Sequence, residues 1–210
     1  TVQETIEQGL RKVLQTKVPI MGSGRTDTGV HAKQQIAHFD LDSPNDIAKL
    51  QYQLNAVLPK SVSIQSIVPV QEEAHARFDA ERRKYDYYIH NCKDPFKEGL
   101  SYYFHQSLDL DAIAQACEVI RNTTDFESFS RVQTEVNHFN CDIYHCQWST
   151  TESGYQFTIE ANRFLRGMVR ALVGTLIDVG LTKLSVAEFA LIVERRNRRA
   201  AGAAAPAQGL

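Results

Sequence analysis

DIYHCQWSTTESGYQFTIEANRFLRGMVRALVGTLIDV, residues 142–179, holds three elements in immediate succession. Residues 142–149 and 155–161 read as strands, one after the other. Residues 163–179 read as a helix. Phe164, Leu165, Met168, Val169, Leu172, Val173 and Leu176 cover so much of it that it must be largely buried. Two strands followed by a helix break the regular alternation of a doubly wound sheet, so the expected class is α+β with antiparallel pairing. On the same helix Arg163, Arg166 and Arg170 are spaced by three and four and form one expected stripe, beside a small-residue face of Gly167, Ala171 and Gly174. Arginines on a buried helix need carboxylate or phosphate partners. Such a pair could be a structural salt bridge, or it could join one arginine to a catalytic acid.

The rest of the chain fits the same class. Residues 83–89 alternate clearly: Arg83, Tyr85, Tyr87 and Ile89 share one strand face, and Lys84, Asp86, Tyr88 and His90 the other. Tyr85 and Tyr87 could be core aromatics or, beside a basic run, a stacking surface for a base. Further strands are expected at 35–41 and 61–70. A Thr1-Val2-Gln3-Glu4 capping box opens a helix running to about Gln15. Ser43 as cap and Pro44 in the first turn open a second helix towards Asn55. Helices also fit 108–120 and 185–194, and the alanine-rich 200–207 reads as a loop. No short-period repeat or low-complexity linker interrupts the chain.

With 210 residues, 43% hydrophobic and 23% charged, the chain can bury a substantial core in one large domain or two small lobes. The longest apolar run, 171–177, is far shorter than the roughly 20 residues that cross a bilayer, and nothing resembles a signal peptide. Four irregularly spaced cysteines do not make a secreted disulfide framework, which suggests a reducing cytoplasm. A net charge of −2 does not mark a nucleic-acid binder. The basic residues nevertheless cluster, at Arg82-Arg83-Lys84, at the three helix arginines, and at Arg195, Arg196, Arg198 and Arg199. Binding depends on such placement more than on the total.

Gly22, Gly24 and Gly29 surround Arg25, Thr26 and Asp27. Glycines permit tight turns and leave room for a ligand, and an arginine near a carboxylate can keep it ionised, as a nucleophile or base must be. On the residues alone, Asp27 could equally be a turn aspartate bonded to local backbone. A phosphate loop is disfavoured because the closing Lys-Ser/Thr is missing. Asp27-Thr28-Gly29 also matches the Asp-Thr-Gly of aspartic proteases, which need a second such carboxylate that only a dimer could supply. His138, Cys141, His145 and Cys146 have no standard zinc spacing, and alternation puts Cys141 and His145 opposite Cys146, so no metal is expected. His75 and His90 are likewise isolated.

Four segments, in order, resemble the TruA-type tRNA pseudouridine synthases. They are Gly24-Arg25-Thr26-Asp27-Thr28-Gly29-Val30-His31-Ala32, then Ala74-His75-Ala76-Arg77-Phe78 with Arg83-Lys84-Tyr85-Asp86-Tyr87, then Asp125-Phe126-Glu127-Ser128-Phe129. The fourth and longest runs from Asn162 to Leu176. Leu54-Asn55-Ala56-Val57-Leu58-Pro59 and Ala205-Pro206-Ala207-Gln208-Gly209-Leu210 fall in the same order. The resemblance implies a pseudouridine synthase fold, a central and mostly antiparallel sheet flanked by helices, with an active-site cleft across it and two lobes at about 1–95 and 96–210. It implies a homodimer that isomerises uridine at positions 38–40 of the tRNA anticodon stem-loop without cofactor or metal. A non-catalytic RNA-binding or tRNA-folding protein on the same scaffold is the alternative.

Residue by residue, the resemblance makes Asp27 the catalytic aspartate. It has Arg25 holding the loop and flipped nucleotide, Tyr85 stacking on the base and Arg170 pairing with Asp27. His31, Arg77, Arg83, Arg163 and Arg166 are candidate RNA contacts. The family's N-terminal strand with Tyr-Asp-Gly, its Gly-Trp-Gln segment and a strand after Gly-Leu are not found here. The expectation is a truncated stretch with a sheet edge left open.

Overall fold

Residues 1–41, 46–132 and 136–210 are described in the computed structural model. They form two compact units, Thr1–Arg25 with Ala32–Ala80, and Thr26–His31 with Glu81–Leu210. The division falls ahead of the strand beginning at Arg83 rather than near residue 95, because that strand pairs along its length with one far later in the chain.

The first unit rests on two helices. α1, Val2–Leu14, starts at the Thr1 capping box, in which Thr1 and Glu4 satisfy each other's backbone N–H groups, and ends at Gln15 in a left-handed conformation. α2, Ile47–Val57, is capped by Asp46, whose side chain accepts from the Lys49 N–H. The cap expected of Ser43 and Pro44 lies outside the described residues. Leu10 of α1 and Leu50 and Leu54 of α2 meet Val18, Ile20 and Leu58 in one small core. Two short antiparallel strands, β1 (Met21–Gly22) and β2 (Ala37–His38), follow, so the strand expected over 35–41 is reduced to two residues.

The strand expected over 61–70 does not form. Its backbone is bonded by side-chain amides instead. Asn55 Oδ1 accepts from the Ile64 N–H (2.8 Å), Asn55 Nδ2 donates to the Ile64 carbonyl (2.9 Å), and Gln51 Nε2 donates to the Gln65 carbonyl (2.8 Å). Alternation made the segment extended, but side chains took the place of a ladder partner.

The second unit is built on a four-stranded sheet: β3 (Arg83–His90), β4 (Tyr102–Tyr103), β5 (Ile143–Thr151) and β6 (Gly154–Ala161), in the order β4-β3-β6-β5. β3–β6 and β6–β5 are antiparallel and only the short β4 runs parallel to β3. The register sets Tyr85 opposite Ile159 and Tyr87 opposite Phe157, with Cys146 and Trp148 of β5 continuing the two rows. Tyr87, Phe157, Ile159 and Cys146 are fully buried on this face. Against them pack α3 (Leu110–Arg121), α4 (Met168–Gly180) and α5 (Val186–Glu194) in one continuous core. Burying each large aliphatic or aromatic side chain there contributes roughly 1.5–3 kcal/mol. α5 opens with a second capping box, Ser185 with Glu188.

Asp125-Phe126-Glu127-Ser128-Phe129 serves this core. Phe126 and Phe129 are fully buried, and the Ser128 hydroxyl donates to the Ile192 carbonyl (2.6 Å) and accepts from the Asn197 N–H (2.9 Å). α4 begins five residues later than the sequence pattern suggests. Gly167 takes a left-handed φ of 72° and caps it, and residues 163–167 approach it as a non-helical segment.

Candidate active site

Thr26–His31 belongs to the same compact unit as the sheet and α4. Two backbone bonds fix this loop: Val30 N–H to the Asp27 carbonyl (3.2 Å), closing a turn, and His31 N–H to the Leu210 carbonyl (2.9 Å). They present the Asp27 carboxylate to Arg170, whose Nη1 donates to Asp27 Oδ2 at 2.8 Å. The side chains are 31% and 22% exposed. With both side chains partly withdrawn from water, losing either partner leaves the other charge poorly solvated.

Arg170 lies in the first turn of α4 and has a second acceptor. Its Nε donates to the Ala205 carbonyl (2.7 Å), and the Ala205 N–H donates back to the Arg170 carbonyl (2.9 Å). The planar guanidinium is thereby held at two points, which a flexible ammonium could not reproduce.

Tyr85 is half-buried, its ring edge-on to Phe164 with centroids 5.1 Å apart and planes at 82°. Burial pushes its hydroxyl ionisation upward, only partly offset by the nearby Arg83. The ring is thus a neutral aromatic surface suited to stacking.

The arginine stripe expected on the helix is not formed, because only Arg170 lies on α4. Arg163 precedes it, with Nη1 3.3 Å from His138 Nε2, and Arg166 is exposed, its carbonyl accepting from the Arg131 N–H (2.9 Å). Arg83 donates from Nη1 to the Asn162 carbonyl (2.7 Å). His31 is exposed. Arg25 and Arg77 belong to the other unit, both exposed, with the Arg77 guanidinium 5.9 Å from the centre of the Phe78 ring. The structure therefore joins Asp27 to Arg170 in one ion pair, while the remaining candidates are distributed over the two units. Sequence reading missed the Ala205 carbonyl, a backbone acceptor with no side-chain signature.

Among the described residues no group of three or more His, Cys, Asp or Glu side chains could hold a metal ion. Cys141, read as a strand residue facing away from Cys146, lies ahead of β5, which begins at Ile143, and both thiols are buried. Burial pushes the Cys141 thiol up to about 11. Two concavities elsewhere in the unit, one lined by Asp125 and Arg196 and one by Cys117, Cys146 and Trp148, contain none of the candidate residues.

Compared with known proteins, residues 1–79 and 122–210 match the family described as tRNA pseudouridine synthase. The chain belongs to the tRNA pseudouridine synthase family. It is 46% identical to tRNA pseudouridine synthase A of Parabacteroides distasonis, over 100% of this chain and 84% of that protein. It is 43% identical to the enzyme of that name from Porphyromonas gingivalis (100% and 85%) and 36% identical to that of Bacillus subtilis (100% and 87%). Both Asp27 and Arg170 lie within the stretches matched to the pseudouridine synthase family. Tyr85 lies between them, in a segment that the relatives' alignments span.

Proposed function

We propose that this chain isomerises uridine to pseudouridine in tRNA, at positions 38–40 of the anticodon stem-loop, with Asp27 as the essential carboxylate. The single observation that carries the reading is the 2.8 Å pair between Asp27 and Arg170, in a chain of this family. The reaction breaks the C1′–N1 bond, turns the uracil and joins C1′ to C5. N1 gains a proton and the C5 hydrogen leaves as a proton, so the product is an isomer of the substrate. There is no net oxidation or reduction and no phosphoryl transfer, so the chemistry calls for no cofactor.

Each site residue then has a task. Asp27 acts as the essential carboxylate, and Arg170 holds it in place through their 2.8 Å pair. Tyr85 stacks on the uracil once the nucleotide has left its helical stack. Arg25 holds the flipped nucleotide, and His31, Arg77, Arg83, Arg163 and Arg166 contact the RNA. The working form is a homodimer in the cytoplasm.

The test uses tRNA carrying tritium at C5 of its uridines. Purified protein should release tritium in proportion to pseudouridine formed. A protein that binds this tRNA normally and releases none is a tRNA-binding or folding factor on the same scaffold, and the proposal fails.

A further inference from the structure

Tyr87 is fully buried on β3, two residues beyond Tyr85 on the same face. Burial pushes its hydroxyl ionisation far upward, so it remains an O–H donor, and it donates to the Pro206 carbonyl at 2.8 Å. Pro206 lies inside a segment that touches the candidate site at both ends. On one side, Ala205 exchanges two hydrogen bonds with Arg170, one to its carbonyl and one from its guanidinium. On the other, the Leu210 carbonyl accepts from the His31 N–H, and a Cβ on Gly29 would touch the Ala207 side chain at 3.4 Å. The Leu210 N–H closes back on the Ala207 carbonyl (3.0 Å), so the segment is a compact turn rather than a free tail.

Gly209 fixes how closely that turn approaches the sheet. A Cβ at this position would lie 2.4 Å from Cζ and 2.6 Å from Cε1 of Tyr87, distances that real atoms do not adopt. Any larger residue must push the segment off the tyrosine. Together these contacts link Tyr87 to Pro206, Ala205 to Arg170 and Arg170 to Asp27, with the His31 bond tying the same segment to the Asp27 loop. Bond-making geometry is sensitive to displacements of about 1 Å, which can cost on the order of a hundredfold in rate.

We propose that Tyr87 and Gly209 are positioning residues for the isomerisation, acting through residues 205–210 on Arg170 and hence on Asp27. This inference rests on the function proposed above. Neither residue touches the reacting atoms. Tyr87 sets the segment through one hydrogen bond, and Gly209 provides the space for it.

The test is a double-mutant cycle measured by single-turnover tritium release at saturating tRNA, with tRNA affinity measured in parallel. Tyr87→Phe keeps the ring and removes the hydroxyl. It should slow the reaction about tenfold while tRNA affinity changes less than about twofold. In an Arg170→Lys background, where the fork that the segment holds is already gone, the same change should cost less than about twofold. Gly209→Ala, outside the sheet, should show the same pattern and serves if Tyr87→Phe does not fold. Equal losses in both backgrounds, or no loss in a folded single variant, overturn the inference. Release by the unvaried protein tests the function itself, so the two failures are distinguishable.

Discussion

Arg170→Lys keeps a positive charge on α4 and removes the planar fork. In the structure that fork serves two acceptors at once, Asp27 Oδ2 at 2.8 Å and the Ala205 carbonyl at 2.7 Å. A single ammonium on a flexible stem can approach one of them well, but not both. A hydrogen bond involving a charged group contributes roughly 1.5–3 kcal/mol to stability. Because the two side chains are 22% and 31% exposed, solvent screening lowers the expected loss to about 1–2 kcal/mol.

At roughly 2–4 °C per kcal/mol for a chain of this size, the melting midpoint should fall by about 2–8 °C. If the same loss is felt in the transition state, at about 1.4 kcal/mol per tenfold, the rate should drop about 5- to 30-fold. Thermal melting and single-turnover tritium release from C5-labelled tRNA measure the two effects on one preparation. A lysine variant with both wild-type midpoint and wild-type rate would refute the two-point hold, and Arg170 would act only as a point charge.

Three further outcomes follow from individual contacts. Tyr85→Phe should retain tritium release within a few-fold, whereas Tyr85→Ala should lose about 5- to 150-fold, since base–aromatic stacking contributes roughly 1–3 kcal/mol. Equal losses would mean that the hydroxyl rather than the ring matters. A Cβ at Gly174 would sit 1.8 Å from the Ala203 carbonyl oxygen, so Gly174→Ala should destabilise by about 1–3 kcal/mol in urea unfolding. Cys141 is a buried neutral thiol raised from 9.0 to about 11, and a raised acid of this kind favours folding fully below its unfolded value. That contribution should decline as pH climbs from 9 to about 11, and replacing Cys141 with alanine should flatten the fall seen in unfolding experiments across that window.

Much of the second unit was legible because its signals are local. The alternation at 83–89 and the apolar cover of residues 164–176 need no knowledge of partners, and both elements form. Partners explain the misses. Residues 61–70 look like a strand, but Asn55 and Gln51 satisfy their backbone. Helical spacing joined Arg163 and Arg166 to Arg170, whereas the left-handed Gly167 starts the helix after them. Alternation gives Cys141 a strand face, whereas the strand begins only at Ile143.

The candidate site shows the same division. A glycine-flanked aspartate was visible, yet its ionic partner is 143 residues away and was reached through the family motif rather than through any local pattern. The Ala205 carbonyl that completes the hold on Arg170 is backbone, and only the folded chain reveals it.

The decisive measurement is pseudouridine mapping in tRNA from cells that lack the endogenous enzyme and carry either the wild-type protein or Asp27→Asn. The amide keeps the shape of the carboxylate and removes its charge. Wild type should restore pseudouridine at positions 38–40, and Asp27→Asn, expressed at the same level and still binding tRNA, should restore none. Normal pseudouridine at those positions with Asp27→Asn would contradict the assignment of Asp27 as the essential carboxylate.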